Sequence, residues 1–287
     1  MGASSKSKLG FNVLTQRPQR LAVSKIIAVK QRSSPLVVSI PHSGTWIPPE
    51  AKGHIETGRI LLIDTDLLTD QVYAAVAQLG SSVQTCVSPY VVNVNRGYTK
   101  PGLPIIPQQL LSGQATLLKP FPSIQRRKLL AYYYQPYHAA LQHLITEALK
   151  RFGFALVFDG HSLDRKGMVH TKDPGERRAD IVIGDNHATA AHPSVTRAIE
   201  TYLSKAGYEV ALNRPYAGGH ITRAYGSPGK RVHVIQIELV KSLYCHSIAK
   251  ESDLARHLAV KVNSGLPKLS KGLCQALGAG LRAAAVA

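Results

Sequence analysis

Val37-Val38-Ser39-Ile40-Pro41-His42-Ser43-Gly44-Thr45 and, about a hundred residues later, Phe154-Ala155-Leu156-Val157-Phe158-Asp159-Gly160-His161-Ser162 are built alike. Each is an apolar run of high β-propensity that runs out in a glycine-containing turn bearing a His-Ser pair. Each reads as a buried strand that delivers one histidine to its carboxyl-terminal edge. In open α/β sheets that edge is where ligands bind, because loops converge there on the crevice at which strand order reverses. Two histidines presented by the same device point to one shared site.

The segments between them alternate in type. Leu68, Val72, Ala75, Val76 and Leu79 recur at helical spacing over 66–79, with Asp66 placed as an amino-terminal cap and Gly80 just past the end. Short strands are predicted at 26–29, 83–87 and 90–94. Residues 126–151 return to helical periodicity, with Pro136 either kinking one helix or opening a second at its first turn. Further strands are expected at 181–183, 208–212 and 233–239, and a helix from Pro193 to about Lys205. The segment 97–125 is rich in Pro and Gly without periodicity, as in a functional loop or lid. Strand, helix and strand in succession make an α/β fold built from crossover units.

At 287 residues, 44% hydrophobic and 18% charged, the chain has the composition of a globular domain and not of a disordered one. No apolar run reaches the ~20 residues of a membrane span, and no secretory signal is evident, so a cytoplasmic protein is expected. Three cysteines, Cys86, Cys245 and Cys274, stand far apart and argue against a disulfide framework or a thiolate zinc site. Twelve histidines leave room for a metal held by imidazole and carboxylate. The formal charge is +18, of which residues 1–49 and 254–287 supply twelve charges without a single acid. Residues 1–34 are therefore expected to form a basic arm and 35–287 a single domain. Basic ends of this kind either stay solvated or dock on phosphate backbones. With no aromatic residues interleaved for base stacking beyond Phe11, nucleic acid is the less favoured partner.

Among positions able to carry chemistry, His42 and His161 are candidate metal ligands, and Asp64-Thr65-Asp66 supplies the carboxylate such a site needs. Glu238 stands inside the apolar strand Val234-Ile235-Gln236-Ile237-Glu238-Leu239-Val240. Burying a carboxylate there costs several kcal/mol unless it is paired or faces an open site, which makes Glu238 a candidate general base. The competing reading puts Gln236 and Glu238 on the solvent face of an edge strand. Arg96 and Arg223 each follow a turn near a strand end and could grip a carboxylate through their planar forks.

Taken together, Ser-Ile-Pro-His-Ser-Gly-Thr (39–45), Asp-Thr-Asp (64–66), Val-Asn-Arg (94–96), Gln-Pro-Tyr-His (135–138), Asp-Gly-His-Ser (159–162), Gly-Gly-His-Ile-Thr-Arg-Ala-Tyr-Gly (218–226) and Val-Ile-Gln-Ile-Glu-Leu (234–239) resemble, in kind and order, the N-formylglutamate amidohydrolase family. The resemblance spans roughly residues 35–245. It implies a mixed, mostly parallel twisted sheet with helices on both faces, of the zinc-carboxypeptidase or phosphorylase/hydrolase kind, with one catalytic Zn2+ per chain at the strand ends. It further implies that His42, Asp66 and His161 are the metal ligands, with Asp64 the second choice of carboxylate. Asp159 would orient a ligand, Glu238 would be the base, and Arg96 and Arg223 would hold a small-molecule carboxylate substrate. The implied reaction is hydrolysis of N-formyl-L-glutamate to formate and glutamate. Hydrolysis of another N-acyl amino acid or a peptide, and a non-catalytic nucleic-acid-binding role, are the alternatives. The chain departs from the family pattern at Asn93, where an aspartate is usual, and at Asn213-Arg214-Pro215-Tyr216-Ala217 before the paired glycines.

Overall fold

Seven strands form one sheet in the order β1-β3-β2-β4-β7-β5-β6. They are β1 (Ile27–Lys30), β2 (Leu36–Ile40), β3 (Ser81–Thr85), β4 (Ala155–Leu163), β5 (Ile181–Gly184), β6 (Val210–Leu212) and β7 (Val232–Val240). The structure, a computed structural model, describes residues 26–56, 65–98, 104–245 and 266–287. Most of the basic amino-terminal arm and Asp64 lie outside the described residues. Strands β3, β2, β4 and β7 run parallel, whereas β1 lies antiparallel on β3 and β5 antiparallel on β7. The chain steps from β2 to β3 on one side and then crosses to β4 on the other. The order therefore reverses at β2, and the crevice for a ligand opens between the carboxyl ends of β2 and β4.

The sheet is covered on both faces. On one side Val37, Val83, Val157 and Val234 pack beneath the helix Gln135–Phe152, whose inward residues Tyr137, Leu141, Leu144, Ile145 and Ala148 keep helical spacing. On the other, Leu36, Val38, Ile40, Leu156, Phe158, Ile235 and Ile237 meet the helices Pro193–Lys205 and Leu266–Val286. Side chains alternate across a strand, so Ser39 shares a face with Val37, Asp159 and His161 with Val157, and Gln236 and Glu238 with Val234. Three adjacent strands thus turn from apolar to polar at the same height on the same face, and the site is assembled there. No helix among the described residues is long and apolar enough to cross a membrane.

Five expectations are corrected. The strand carrying His161 does not end in a turn at Gly160: β4 continues to Leu163, paired with β7 residue by residue. Gly160 serves close packing, since a Cβ there would come 2.7 Å from ring carbons of Tyr73. Residues 90–94 form no strand, because the amides of Val91 and Val92 turn back onto the Ser88 carbonyl at 2.9 and 3.2 Å. The helix expected over 66–79 is two short pieces, Thr69–Val72 and Ala74–Ala77, entered through Leu68 in the left-handed region at φ 64°. Asp66 does not cap it; the Asp66 carboxylate is turned toward the histidines. Finally, β7 lies between β4 and β5 with Gln236 and Glu238 buried, so the edge-strand reading of Glu238 fails.

Pro136 opens a helix. A π-helical turn at Leu130–Tyr134 joins the helix Ser123–Leu129 to Gln135–Phe152, in which Pro136 occupies the first turn where no amide hydrogen is needed.

Candidate active site

His42 follows β2 directly, His161 lies within β4, and Asp66 precedes the first short helix; together they place a carboxylate between two rings. Asp66 Oδ2 stands 3.0 Å from His161 Nδ1 and 3.5 Å from His42 Nδ1. The imidazole centroids are 4.7 Å apart, edge to face. One ligand atom from each of the three residues falls within 4.8 Å of the others. Tetrahedral zinc with bonds of 2.0–2.1 Å separates its ligands by roughly 3.3 Å. The two separations from Asp66 bracket that value and the histidine pair lies within 4.8 Å, so the donor set has the chemistry of a divalent-cation site and stands close to its spacing.

The strand register builds the surroundings. Ser39, Asp159 and Gln236 are neighbours across β2, β4 and β7, and His161 lies beside Glu238 one step further along. Asp159 receives the Ser39 hydroxyl at Oδ1, 2.8 Å away, and presents Oδ2 to His161 Nε2 at 3.1 Å. The His42 Nε2 atom is 2.9 Å from Asn93 Oδ1. Gln236 receives the Gly219 amide and donates to Glu238 Oε1 at 2.9 Å. Beneath these, the Tyr73 hydroxyl donates to the His161 carbonyl at 2.7 Å.

The charges are strongly coupled. Burial alone would lower His161, but the Asp159 and Asp66 carboxylates raise it well above the usual histidine range. Burial would raise Asp66, yet hydrogen bonds from His161 and His42 hold its carboxyl far below the usual carboxylate range. Glu238 is pushed up to about 8 by burial, against the opposing pull of His161 and with the repulsion of Asp66 and Asp159 added. At neutral pH such a carboxyl is mostly protonated, and a cation held beside it by Asp66 and the two histidines would lower it toward the range in which a carboxylate takes up a proton.

His42, Asp66, His161, Gln236 and Glu238 line a cavity of about 920 Å³. Arg96 and Arg223 are on its wall, as the sequence anticipates. Burial lowers the proton affinity of Arg96 and the charge of Arg223 adds to the effect, a stress that an anionic ligand would relieve. Arg96 makes no side-chain hydrogen bond or ion pair among the described residues, whereas Arg223 donates to the Gly218 carbonyl. Residues 104–111 supply Ile105, Gln108 and Leu110 to the wall. Sequence reading passed over Asn95, Gln236 as a site residue, and Arg178. Arg178 is buried against the cavity, clamped in two hydrogen bonds of 2.6 and 2.7 Å by Asp173. Gln236 could have been found from its place two residues before Glu238, the same offset that separates Asp159 from His161. Arg178, in a charged loop, offers no such periodic signal.

A profile of the N-formylglutamate amidohydrolase family matches residues 34–245. The chain is 32% identical to an N-formylglutamate deformylase of Pseudomonas aeruginosa over 247 residues, covering 81% of this chain and 91% of that one. It is 31% identical to the N-formylglutamate deformylase of Pseudomonas putida over 233 residues, covering 77% and 86%. The fold superposes on the crystal structure of N-formylglutamate amidohydrolase from Ralstonia eutropha JMP134 with a TM-score of 0.76, at 24% identity over 91% of this chain and 97% of the other.

Proposed function

The chain belongs to the N-formylglutamate amidohydrolase family, and we propose that it hydrolyses the linear amide of N-formyl-L-glutamate to formate and glutamate with one zinc ion per chain. The observation that carries the reading is the convergence of His42, Asp66 and His161 at one cavity that also holds Glu238, Arg96 and Arg223.

His42, Asp66 and His161 would hold the ion. Zinc in such a site lowers the pKa of a bound water toward ~7 and polarises a carbonyl. Asp159 would keep the His161 ring in place through Nε2, itself fixed by Ser39. Arg96 and Arg223 would receive the substrate carboxylates, fixing the formyl carbon over the strand ends. Glu238 would accept the proton of the attacking water and return it to the amine nitrogen as the carbon–nitrogen bond breaks, so that formate and glutamate leave with the proton count closed. Gln236 would hold Glu238 Oε1 and leave Oε2 to work.

The cavity volume favours a second reading of the same site. At about 920 Å³ it lies at the upper end of what drug-sized ligands occupy, far more than N-formylglutamate fills. A bulkier N-acyl amino acid or a peptide would use that room. Rates on a panel of N-formyl-L-glutamate, N-acetyl-L-glutamate, N-formyl-L-leucine and an N-acylated glutamyl dipeptide decide the matter. The proposal expects the highest kcat/KM on N-formyl-L-glutamate and a large loss for the leucine analogue. Faster hydrolysis of the dipeptide would overturn the substrate, and no hydrolysis of any would overturn the reaction.

A further inference from the structure

We infer that Asn93 is a positioning residue for the proposed metal site: its side-chain carbonyl selects which nitrogen of His42 faces the ion, and it does so without charge. The assignment needs no choice of hydrogen positions. Asn93 Oδ1 lies 2.9 Å from the backbone N–H of Asn95, which can only donate. The atom at that position must therefore be the amide oxygen and not the amide nitrogen. The same oxygen is 2.9 Å from His42 Nε2. That nitrogen must carry a hydrogen, and a neutral imidazole has one hydrogen to place. The lone pair is left on Nδ1, the atom that faces Asp66.

The Asn93 carbonyl can impose this choice because the turn that bears it is tied down along its length. The Asn93 amide donates to Ile105 at 2.7 Å, His138 Nε2 lies 2.9 Å from the Val94 carbonyl, the His220 amide reaches the Asn95 carbonyl at 3.1 Å, and the Tyr134 hydroxyl donates to the Arg96 carbonyl at 2.8 Å. Three separate segments of the chain hold one turn. That turn also places Arg96, so the orientation of a metal ligand and of a substrate-facing guanidinium share one scaffold.

The two rings are held unequally. His161 has a carboxylate, Asp159, behind its Nε2, whereas His42 has a neutral amide. A carboxylate behind a ligating histidine raises its basicity and fixes its tautomer, whereas an amide fixes the tautomer alone. His42 is then the weaker donor of the pair, and a charge introduced at position 93 should strengthen it.

The inference rests on the proposed metal site, and the test keeps the two apart. The dissociation constant for Zn2+ alone is measured by competition with a chromophoric chelator for the parent, Asn93→Asp and Asn93→Leu, alongside the melting temperature of each metal-free protein. The expectation is that Asn93→Leu binds zinc about 10–100-fold more weakly, and that Asn93→Asp binds as tightly as the parent or more so. A parent that binds no zinc overturns the metal site itself. A parent that binds zinc with Asn93→Leu unchanged, or with Asn93→Asp weakened as much as Asn93→Leu, overturns the role of Asn93. Should Asn93→Leu fail to fold, nitrogen-15 NMR of the histidine rings in the zinc-loaded parent decides. A hydrogen on His42 Nε2 supports the inference and a hydrogen on Nδ1 refutes it.

Discussion

In the proposed reaction Glu238 carries the proton transfer in one side chain. Its place inside an apolar strand is costly, and the structure gives the cost an outlet: a hydrogen bond from Gln236 on one oxygen and a polar cavity before it. Replacing it with glutamine keeps the shape and removes the proton acceptor. Glu238→Gln is expected to lower kcat on N-formyl-L-glutamate by about 10²–10⁴-fold, the range for a positioned acid–base group, with zinc content unchanged. Parent-like turnover in a zinc-loaded Glu238→Gln protein would remove Glu238 from the mechanism. The identity of this residue was legible in the sequence because a carboxylate among valines and isoleucines has few reasons to be there. Its neighbours were not: Asn95 reaches Gln236 and the His161 ring from a turn whose course depends on contacts with three distant segments.

At the scale of elements, the sequence carried the strands and lost the turns. Apolar runs at 37–40, 181–183 and 233–239 announce the buried strands Leu36–Ile40, Ile181–Gly184 and Val232–Val240, and Pro193 and Gly207 bracket a helix that runs Pro193–Lys205. Two features were hidden because tertiary contacts override local signals. Gly160 looks like a turn residue, yet it is a strand residue that leaves room for the Tyr73 ring. Asp66 looks like a helix cap, yet its carboxylate is claimed by two histidines from other strands. Gly219 has the same hidden purpose as Gly160: a Cβ there would run into the Asn95 carboxamide, whose oxygen is already fixed by the Ile221 amide at 2.8 Å. Asn95 in turn contacts His161 Nε2 at 3.0 Å. Gly219→Ala is therefore expected to destabilise the protein by about 1–3 kcal/mol and to weaken zinc binding, as read by denaturant unfolding and chelator competition. Unchanged stability and affinity would show that the Asn95 side chain moves freely.

Considered whole, the molecule hides histidines outside the His42, Asp66 and His161 cluster that respond to pH. Burial, with the nearby His220 charge, lowers His138 to about 4, and burial, with His192 and Arg231, lowers His233 to about 4. The His138 ring meets the Tyr225 hydroxyl at Nδ1 and the Val94 carbonyl at Nε2, and the carbonyl opposes the lowering without cancelling it. A histidine whose folded pKa is depressed favours the fold fully above its unfolded value of about 6.5 and loses that contribution as pH falls through about 4. For His138 the amount at stake is about 3 kcal/mol. Stability measured by urea unfolding should fall between pH 6.5 and 4, and His138→Gln should flatten that slope while lowering stability at pH 7. A pH-independent parent over that range would contradict the burial argument.

The proposed activity stands on the meeting of His42, Asp66 and His161. The measurement that tests it most directly is metal content of the purified chain after equilibration with Zn2+ and removal of excess, for the parent and for His161→Ala. The proposed function expects one zinc per chain in the parent, little in His161→Ala, and N-formyl-L-glutamate hydrolysis that tracks zinc content. A parent that retains no zinc, or a His161→Ala protein that retains as much as the parent, would contradict it.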